Sequence, residues 1–383
     1  MTDTINTIVL APDSFKDSLP ASRVCEAMEE GIKRVNSKIT CIRKPVADGG
    51  EGTVSALVGA TNGEFVKVSV HDPLMRKAQV VYGILGDGNT AVIEMAAASG
   101  LELLKPEERN PWTTTTYGVG EMIRHALDKG CRKFVIGLGG SATNDGGMGM
   151  ARALGVRFLD KDGNPVDHGG GALVDLHRID VSGLDVRIKE CRFNVACDVN
   201  NLLAGENGAS RVYGPQKGAD EAMVEKLDNN LTQLQEKLKS DIDVDVSTLK
   251  GGGAAGGLGA GLFAFLGATL EPGFDIVARI VKLEESIKGC DLVITGEGKI
   301  DVQTQYGKTP YGVAQLAKKY DKPLLAIAGT LGEGYQDLYK KGFDGIFSIM
   351  DKPMPLKEAL MNGYALIANA CEDIMRWSGS MFK

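Results

Sequence analysis

Histidine is scarce in this chain of 383 residues: only His71, His125, His168 and His177 occur, and the seven cysteines are scattered without a single Cys-x-x-Cys pair. No His/Cys spacing of a zinc site is present, which argues against a structural metal. An odd, dispersed set of thiols fits a reducing compartment better than a disulfide framework, so a cytoplasmic protein is expected. An excess of positive charge is missing too, the formal net charge being -7. That speaks against a nucleic-acid or membrane-surface partner, yet leaves room for an anionic small molecule held by local lysines and loop amides. The N-terminal stretch Met1–Ile5 has no basic region, and the apolar run Ile8–Ala11 is too short for a signal peptide. The uncharged segment Gly251–Leu270 carries small-xxx-small spacings such as Gly252/Gly256, but glycine and alanine dominate its first half. A glycine-rich loop entering a buried helix is expected there, not a membrane span.

The apolar content of 43% and charged content of 24% are ordinary for a globular protein. The length exceeds what one core usually organises, so two domains are expected. Thr7–Ala11 reads as a buried strand, 21–35 as an amphipathic helix and 39–46 as a second strand, and the two βα units imply a parallel sheet. Three strands follow at 65–70, 78–85 and 90–95, separated by the turn signals Asp72-Pro73 and Gly86-Asp-Gly-Asn89, as in an antiparallel meander. Residues 221–240 form a polar amphipathic helix with Val224, Leu227, Leu231, Leu234 and Leu238 on one face. Strand-length apolar runs return at 291–295, 323–328 and 345–349, with helical stretches at 311–320 and 356–375. Five such strands suffice for a flavodoxin-like sheet. The expected α/β architecture is a flavodoxin-like parallel-sheet domain built from both chain ends, 1–65 and 285–383, with a mixed α/β domain, 66–284, inserted between them.

In a parallel sheet, ligands collect beyond the carboxyl ends of the strands. The residues there are Pro12-Asp-Ser-Phe-Lys-Asp17, Ala47-Asp-Gly-Gly-Glu-Gly52, Thr295-Gly-Glu-Gly-Lys-Ile-Asp301, Gly329-Thr330 and, in the middle of the chain, Cys197-Asp-Val-Asn-Asn201. Above all there is Gly137-Leu-Gly-Gly-Ser-Ala-Thr-Asn-Asp-Gly-Gly-Met-Gly149, after the run Phe134–Ile136. Taken singly, Asp13 could be a helix cap, Glu51 a first-turn acid and Asp198 an Asx turn. Together they supply what phosphoryl transfer needs: carboxylates to hold Mg²⁺ and accept a proton, lysines to neutralise a phosphoryl group, and bare amides to cradle its oxygens. Two other motifs compete. Gly307-Lys308-Thr309 looks like the end of a P-loop, but Val302 stands where the leading glycine belongs, so it is no Walker A sequence. Residues 137–142 match the dinucleotide pattern G-x-G-x-x-A, with Asp160 as the following acid, which leaves an NAD-dependent hydroxy-acid dehydrogenase as an alternative. A non-catalytic nucleotide sensor is another. Against the dehydrogenase, Asn144-Asp-Gly-Gly147 would fill the helix's first turns, where these residues are poor formers.

The blocks APDSFKDS (11–18), PVADGGEGT (45–53), EMAAASGLELL (94–104), IGLGGSATNDGG (136–147), VACDVNN (195–201), NGASRVYGPQKGA (207–219), GGGAAGGLGAGL (251–262) and VITGEGKID (293–301) resemble, in order and nearly end to end, the glycerate kinase type-1 family of bacterial glycerate 2-kinases. The resemblance implies phosphoryl transfer from ATP to D-glycerate with Mg²⁺, giving 2-phosphoglycerate and ADP, in a cleft between two domains. On that basis Gly139, Gly140, Ser141 and Asn144 are expected to hold the nucleotide, with Asp145 near the cation and Glu297 and Asp301 as metal ligands. Asp13, Ser14, Asp48 and Glu51 would border the glycerate pocket, and Arg211 would bind its carboxylate through a bidentate fork. Asp198 would be the base, with Lys16 and Lys299 on the phosphoryl group. Which hydroxyl is phosphorylated and the oligomeric state stay open at this level.

Overall fold

The computed structural model describes residues 5–381, so the Met1–Thr4 part of the N-terminal reading lies outside the described residues. Its strands, in chain order, are β1 (Thr7–Leu10), β2 (Thr40–Arg43), β3 (Glu64–His71), β4 (Lys77–Ile84), β5 (Thr90–Glu94), β6 (Lys133–Gly137), β7 (Arg157–Leu159), β8 (Arg178–Asp180), β9 (Arg192–Ala196), β10 (Thr269–Glu271), β11 (Leu292–Ile300), β12 (Leu324–Leu331) and β13 (Gly345–Ser348). Two compact units emerge. The first runs to Asp48, takes in Ser55–Asn62 and resumes at Phe274; the second comprises Gly49–Val54 and Gly63–Gly273.

The first unit is a five-stranded sheet in the order β2-β1-β11-β12-β13, every neighbouring pair parallel. Numbered within the unit, this is the flavodoxin-like order 2-1-3-4-5, and the strand order reverses between β1 and β11. The apolar runs seen in the sequence are the reason: Ile8, Leu10, Ile294 and Ile327 are buried with Val24, Met28 and Ile32 of the helix Ala21–Val35 and with Ile367 of the helix Gly363–Met381. Burying each such side chain stabilises the fold by roughly 1.5–3 kcal/mol. Gly31 lets the two helices close up, since a Cβ there would come within 2.0 Å of the Ala368 carbonyl oxygen.

One strand is longer than its apolar run. β11 continues through Gly296-Glu-Gly-Lys-Ile300, with Glu297 opposite Ala328 and Lys299 opposite Thr330. Glycine and charge mark this stretch as a loop in the sequence, yet β12 supplies ladder partners along it up to Ile300↔Leu331. Asp13 N–H donates to the Gly296 carbonyl at 2.8 Å, so the chain after β1 stays alongside β11.

The second unit holds a six-stranded mixed sheet, β10-β9-β6-β5-β4-β3. β3, β4 and β5 form the expected antiparallel meander; β5, β6, β9 and β10 are parallel. Phe134 and Phe193 stack across β6 and β9 at 4.6 Å. The polar helix spans Glu221–Ile242 and buries Val224, Leu227, Leu231, Leu234 and Leu238 as its spacing foretells. The segment 251–270 is a run of turns followed by the helix Leu258–Leu266, and no helix among the described residues is long and apolar enough to cross a membrane.

Candidate active site

In the first unit, the carboxyl ends of β1 and β11 bring Asp13 beside Glu297 at the place where the strand order reverses. Asp13 accepts the Ser14 amide on Oδ1 at 2.6 Å and the Thr309 hydroxyl on Oδ2 at 2.6 Å. Burial pushes its pKa up to about 6 despite the Thr309 hydrogen bond, and the charge of Asp48 adds to the rise. Glu297 is 9% exposed. Its Oε1 accepts the Thr304 hydroxyl at 2.9 Å and lies 3.6 Å from Lys308 Nζ. Burial raises its pKa to about 7, Lys308 works against the rise and Asp13 adds to it. Two desolvated carboxylates thus repel each other with only partial compensation, the electrostatic condition that a divalent cation relieves.

Among the described residues no three His, Cys, Asp or Glu side chains converge to hold a metal ion. Mg²⁺ does not require three: it is commonly held by one or two carboxylates, with phosphate oxygens and water completing the octahedron. The residues present therefore fit Mg²⁺ through Asp13 and Glu297. Asp301, expected as a third ligand, has other employment. It caps the short helix Val302–Gln305 by accepting the Gln303 amide at 2.9 Å and pairs with Lys299 Nζ at 3.0 Å. Burial opposes its ionisation, but the Lys299 ammonium and the Gln303 amide bring its pKa below the usual range. Lys299 itself is largely exposed. Lys16 is exposed on the tight turn after β1, where Phe15 N–H donates to Leu19 and Asp17 takes a left-handed conformation (φ 62°).

In the second unit, the loop after β6 is pinned from behind. Asp145 is fully buried. Its Oδ2 accepts the Thr116 amide at 2.8 Å, the Gly149 amide at 3.1 Å and the Thr115 hydroxyl at 3.2 Å, while Oδ1 accepts the Gly147 amide and the Thr116 hydroxyl, both at 3.1 Å. With five donors on two oxygens it anchors the loop, and both carboxylate oxygens, expected near the cation, are engaged within the fold. Asn144 is likewise fully buried and donates to Ser210 Oγ at 2.9 Å. Its Oδ1 and the Thr143 Oγ1 are buried without partners. Gly139 and Gly140 are exposed, and Ser141 is buried in a bridge to Gly100.

Sequence reasoning missed the strut beneath this loop. Lys217 is 1% exposed and its Nζ donates to the Thr143 carbonyl at 2.7 Å. Burial drops its pKa to about 7, with Asp145 pulling the other way. Gly256 closes on the same carbonyl so tightly that a Cβ would lie 1.9 Å from it.

The turn Gly49-Gly-Glu-Gly52 packs over the ends of β6 and β9, Gly49 against Ala196 and Gly137, and Gly50 against Gly139. Glu94 holds this turn by accepting the Val54 amide at 2.9 Å, and burial lifts its pKa. Glu51 is exposed on the turn. Asp198, exposed just past β9, accepts the Gly273 amide at 3.1 Å. Arg211, on the helix Ala209–Tyr213, turns its Nε to the buried Asp228 at 3.1 Å.

The dinucleotide reading required a helix opening near Ala142. The helix begins only at Met148, after Gly146 and Gly147 in left-handed conformations (φ 62° and 78°), so no dinucleotide turn forms. Comparison with known proteins decides the matter. The sequence model described as "Glycerate kinase family" matches residues 8–379. The chain belongs to the glycerate kinase family. It is 51% identical over 367 residues to the glycerate 2-kinase of Escherichia coli (strain K12), covering 96% of each chain. To the glycerate kinase of Halalkalibacterium halodurans it is 49% identical over 370 residues, 97% of each. A crystal structure of a candidate glycerate kinase 2 from Salmonella typhimurium LT2 superposes with a TM-score of 0.91 at 47% identity, covering 98% of this chain and 99% of that one. Membership in the glycerate kinase family makes the protein a kinase, and nothing in these likenesses supports a dehydrogenase.

Proposed function

We propose that the protein transfers the terminal phosphoryl group of ATP to the 2-hydroxyl of D-glycerate, releasing ADP and 2-phosphoglycerate. The observation that carries this reading is the 51% identity, over nearly the whole of both chains, to a protein named glycerate 2-kinase. The carboxylate pair of half-buried Asp13 and buried Glu297 at the β1/β11 switch point supports it. In the reaction, the bond between the terminal phosphorus and the bridging oxygen of ADP breaks. A bond to the glycerate oxygen forms, and the hydroxyl proton goes to a base, for which we assign Asp198.

Mg²⁺ would be held by Asp13 and Glu297 and, when bound, supplies charge neutralisation to the phosphates. Asp145 and Asp301, whose carboxylates are engaged within the fold, are left out of this set, and Asp13, expected at the glycerate border, is assigned to the cation. The exposed amides of Gly139 and Gly140, with Ser141, are proposed to take nucleotide oxygens, and Lys16 and Lys299 to neutralise phosphoryl charge. Ser14, Asp48, Glu51 and Arg211 are proposed to select glycerate, Arg211 through its terminal nitrogens. Donor chemistry based on ATP and the absence of disulfides among the described cysteines support a cytoplasmic location.

The test is incubation of the pure protein with D-glycerate and either ATP·Mg²⁺ or NAD⁺. Glycerate-dependent ADP release supports the proposal. NADH formation, or tight ATP binding with no ADP release, would replace it with the dehydrogenase or the nucleotide sensor.

A further inference from the structure

The tripeptide Gly307-Lys308-Thr309 is not part of a Walker A loop, yet the fold carries it to the carboxylate pair. Three features put it there. Asp301 caps the turn 302–305, which seats the buried Thr304 hydroxyl on Glu297 at 2.9 Å. Gly307, at φ 99°, makes a left-handed reversal that a side chain would resist. The helix Thr309–Lys319 then starts with Thr309 fully buried and its hydroxyl on Asp13 at 2.6 Å.

Lys308 is therefore fixed at its backbone between two locked threonines, while its side chain is 36% exposed. Its Nζ lies 3.6 Å from Glu297, well beyond the roughly 2.8 Å of a charge-assisted hydrogen bond. The head group is close but loosely held. A cation taken up by Glu297 would displace it, and the ammonium, which also feels Asp301, would be free to meet the negative charge of a phosphoryl group bound to that cation.

We propose that Lys308 is a catalytic residue that contacts the phosphoryl group in transfer, and that Thr309 and Thr304 are positioning residues for Asp13 and Glu297. The proposal rests on the kinase reading above. Because Asp13 is joined to Ser14 and lies near Asp48, both assigned to the acceptor, the phosphoryl group nearest Lys308 is the terminal one. Lys308 follows it as the P–O bond to ADP breaks and the P–O bond to glycerate forms. The ammonium gives up no proton; it balances charge on the equatorial oxygens.

Titration calorimetry compares two probes, ADP·Mg²⁺ and β,γ-imido-ATP·Mg²⁺, on the wild type and on the variants Lys308→Met and Lys308→Arg. A lysine on the terminal phosphoryl predicts that Lys308→Met weakens the imido-ATP complex by at least about tenfold while ADP binding stays within about twofold. It also predicts that kcat falls by a factor on the order of 10² with Lys308→Met and that Lys308→Arg recovers much of both losses. Equal weakening of both nucleotides would make Lys308 a structural residue, and no change in either would remove it from the site; both overturn the proposal. Thermal melts of each variant exclude misfolding as the cause. Should the wild type bind both nucleotides but form no phosphoglycerate, the acceptor assignment fails, while the two-nucleotide comparison still decides Lys308.

Discussion

Replacing Lys217 by methionine should make the protein more stable in mild acid and hardly alter it in mild base. The reason is the burial of an ammonium group that is 1% exposed and makes one hydrogen bond, to the Thr143 carbonyl. Its pKa falls from the ordinary 10.5 to about 7, burial being the main cause. Each pKa unit corresponds to about 1.4 kcal/mol. Below pH 7 both the folded and the unfolded chain carry the proton, so the full penalty, about 5 kcal/mol, applies and does not vary with pH. Between pH 7 and 10.5 only the unfolded chain keeps the proton, and wild-type stability from this group climbs as pH rises. At pH 9 about 2 kcal/mol of the penalty remains.

Methionine removes that penalty but strands the Thr143 carbonyl, at a cost of roughly 1–3 kcal/mol. The variant should therefore be about 3 kcal/mol more stable than wild type at pH 6 and nearly equal to it at pH 9. Urea unfolding of both proteins at the two pH values measures this difference directly, and contributions from every other titrating group cancel in the comparison. A stability difference that stays constant from pH 6 to pH 9 would refute the reasoning. It would mean that Lys217 does not change protonation within the fold in that window. The lysine would then be kept for the loop it supports, and activity in Lys217→Met should fall because the Thr143–Asn144 segment loses its strut.

Other residues give sharper single tests. Asp145→Asn should destabilise the protein by about 3 kcal/mol, since a charged acceptor of amide and hydroxyl donors is lost, and chemical denaturation measures it; lost Mg²⁺ affinity with unchanged stability would restore the ligand assignment. Asp198→Asn should lower kcat by a factor on the order of 10² or more while leaving ATP affinity intact, as steady-state kinetics with calorimetry will show; a near-normal kcat removes Asp198 as the base. Glu297→Gln should raise the melting temperature of the metal-free protein above pH 7, because a buried charge is gone, and should abolish Mn²⁺ binding followed by electron paramagnetic resonance. Gly256→Ala should be among the most damaging small substitutions, since its Cβ would overlap the Thr143 carbonyl at 1.9 Å; a soluble variant with wild-type stability would contradict the packing described for this loop.

Much of the first unit is legible in the chain because its strands are continuous apolar runs, Ile8–Leu10 and Leu324–Ile327 among them, and buried parallel strands need no alternation. The strand order 2-1-3-4-5 follows once five such runs alternate with helices. What escaped was context. Gly296-Glu-Gly-Lys299 has loop composition, and its pairing with β12, with one bond from the Asp13 amide on the other side, turns it into a strand. Asp145 within a glycine-rich loop has the look of a metal ligand, and besides two amides of its own loop the donors that claim it come from Thr115 and Thr116, about thirty residues earlier in the chain. Lys308 and Thr309 stand out as a motif, but one that lacks the leading glycine of a Walker A sequence. Their partners Glu297 and Asp13 are brought to them by the sheet, over a separation of 296 residues in the case of Thr309. Local pattern finds the strand-end residues; it does not say which of them tertiary structure has already claimed.

Phosphorus NMR of the reaction mixture shows directly whether the protein phosphorylates the 2-hydroxyl of D-glycerate. With D-glycerate, ATP and Mg²⁺, a 2-phosphoglycerate resonance should grow in step with ADP, and neither should appear when glycerate is omitted. A 3-phosphoglycerate resonance, or ADP formed at the same rate without glycerate, would contradict the proposed reaction.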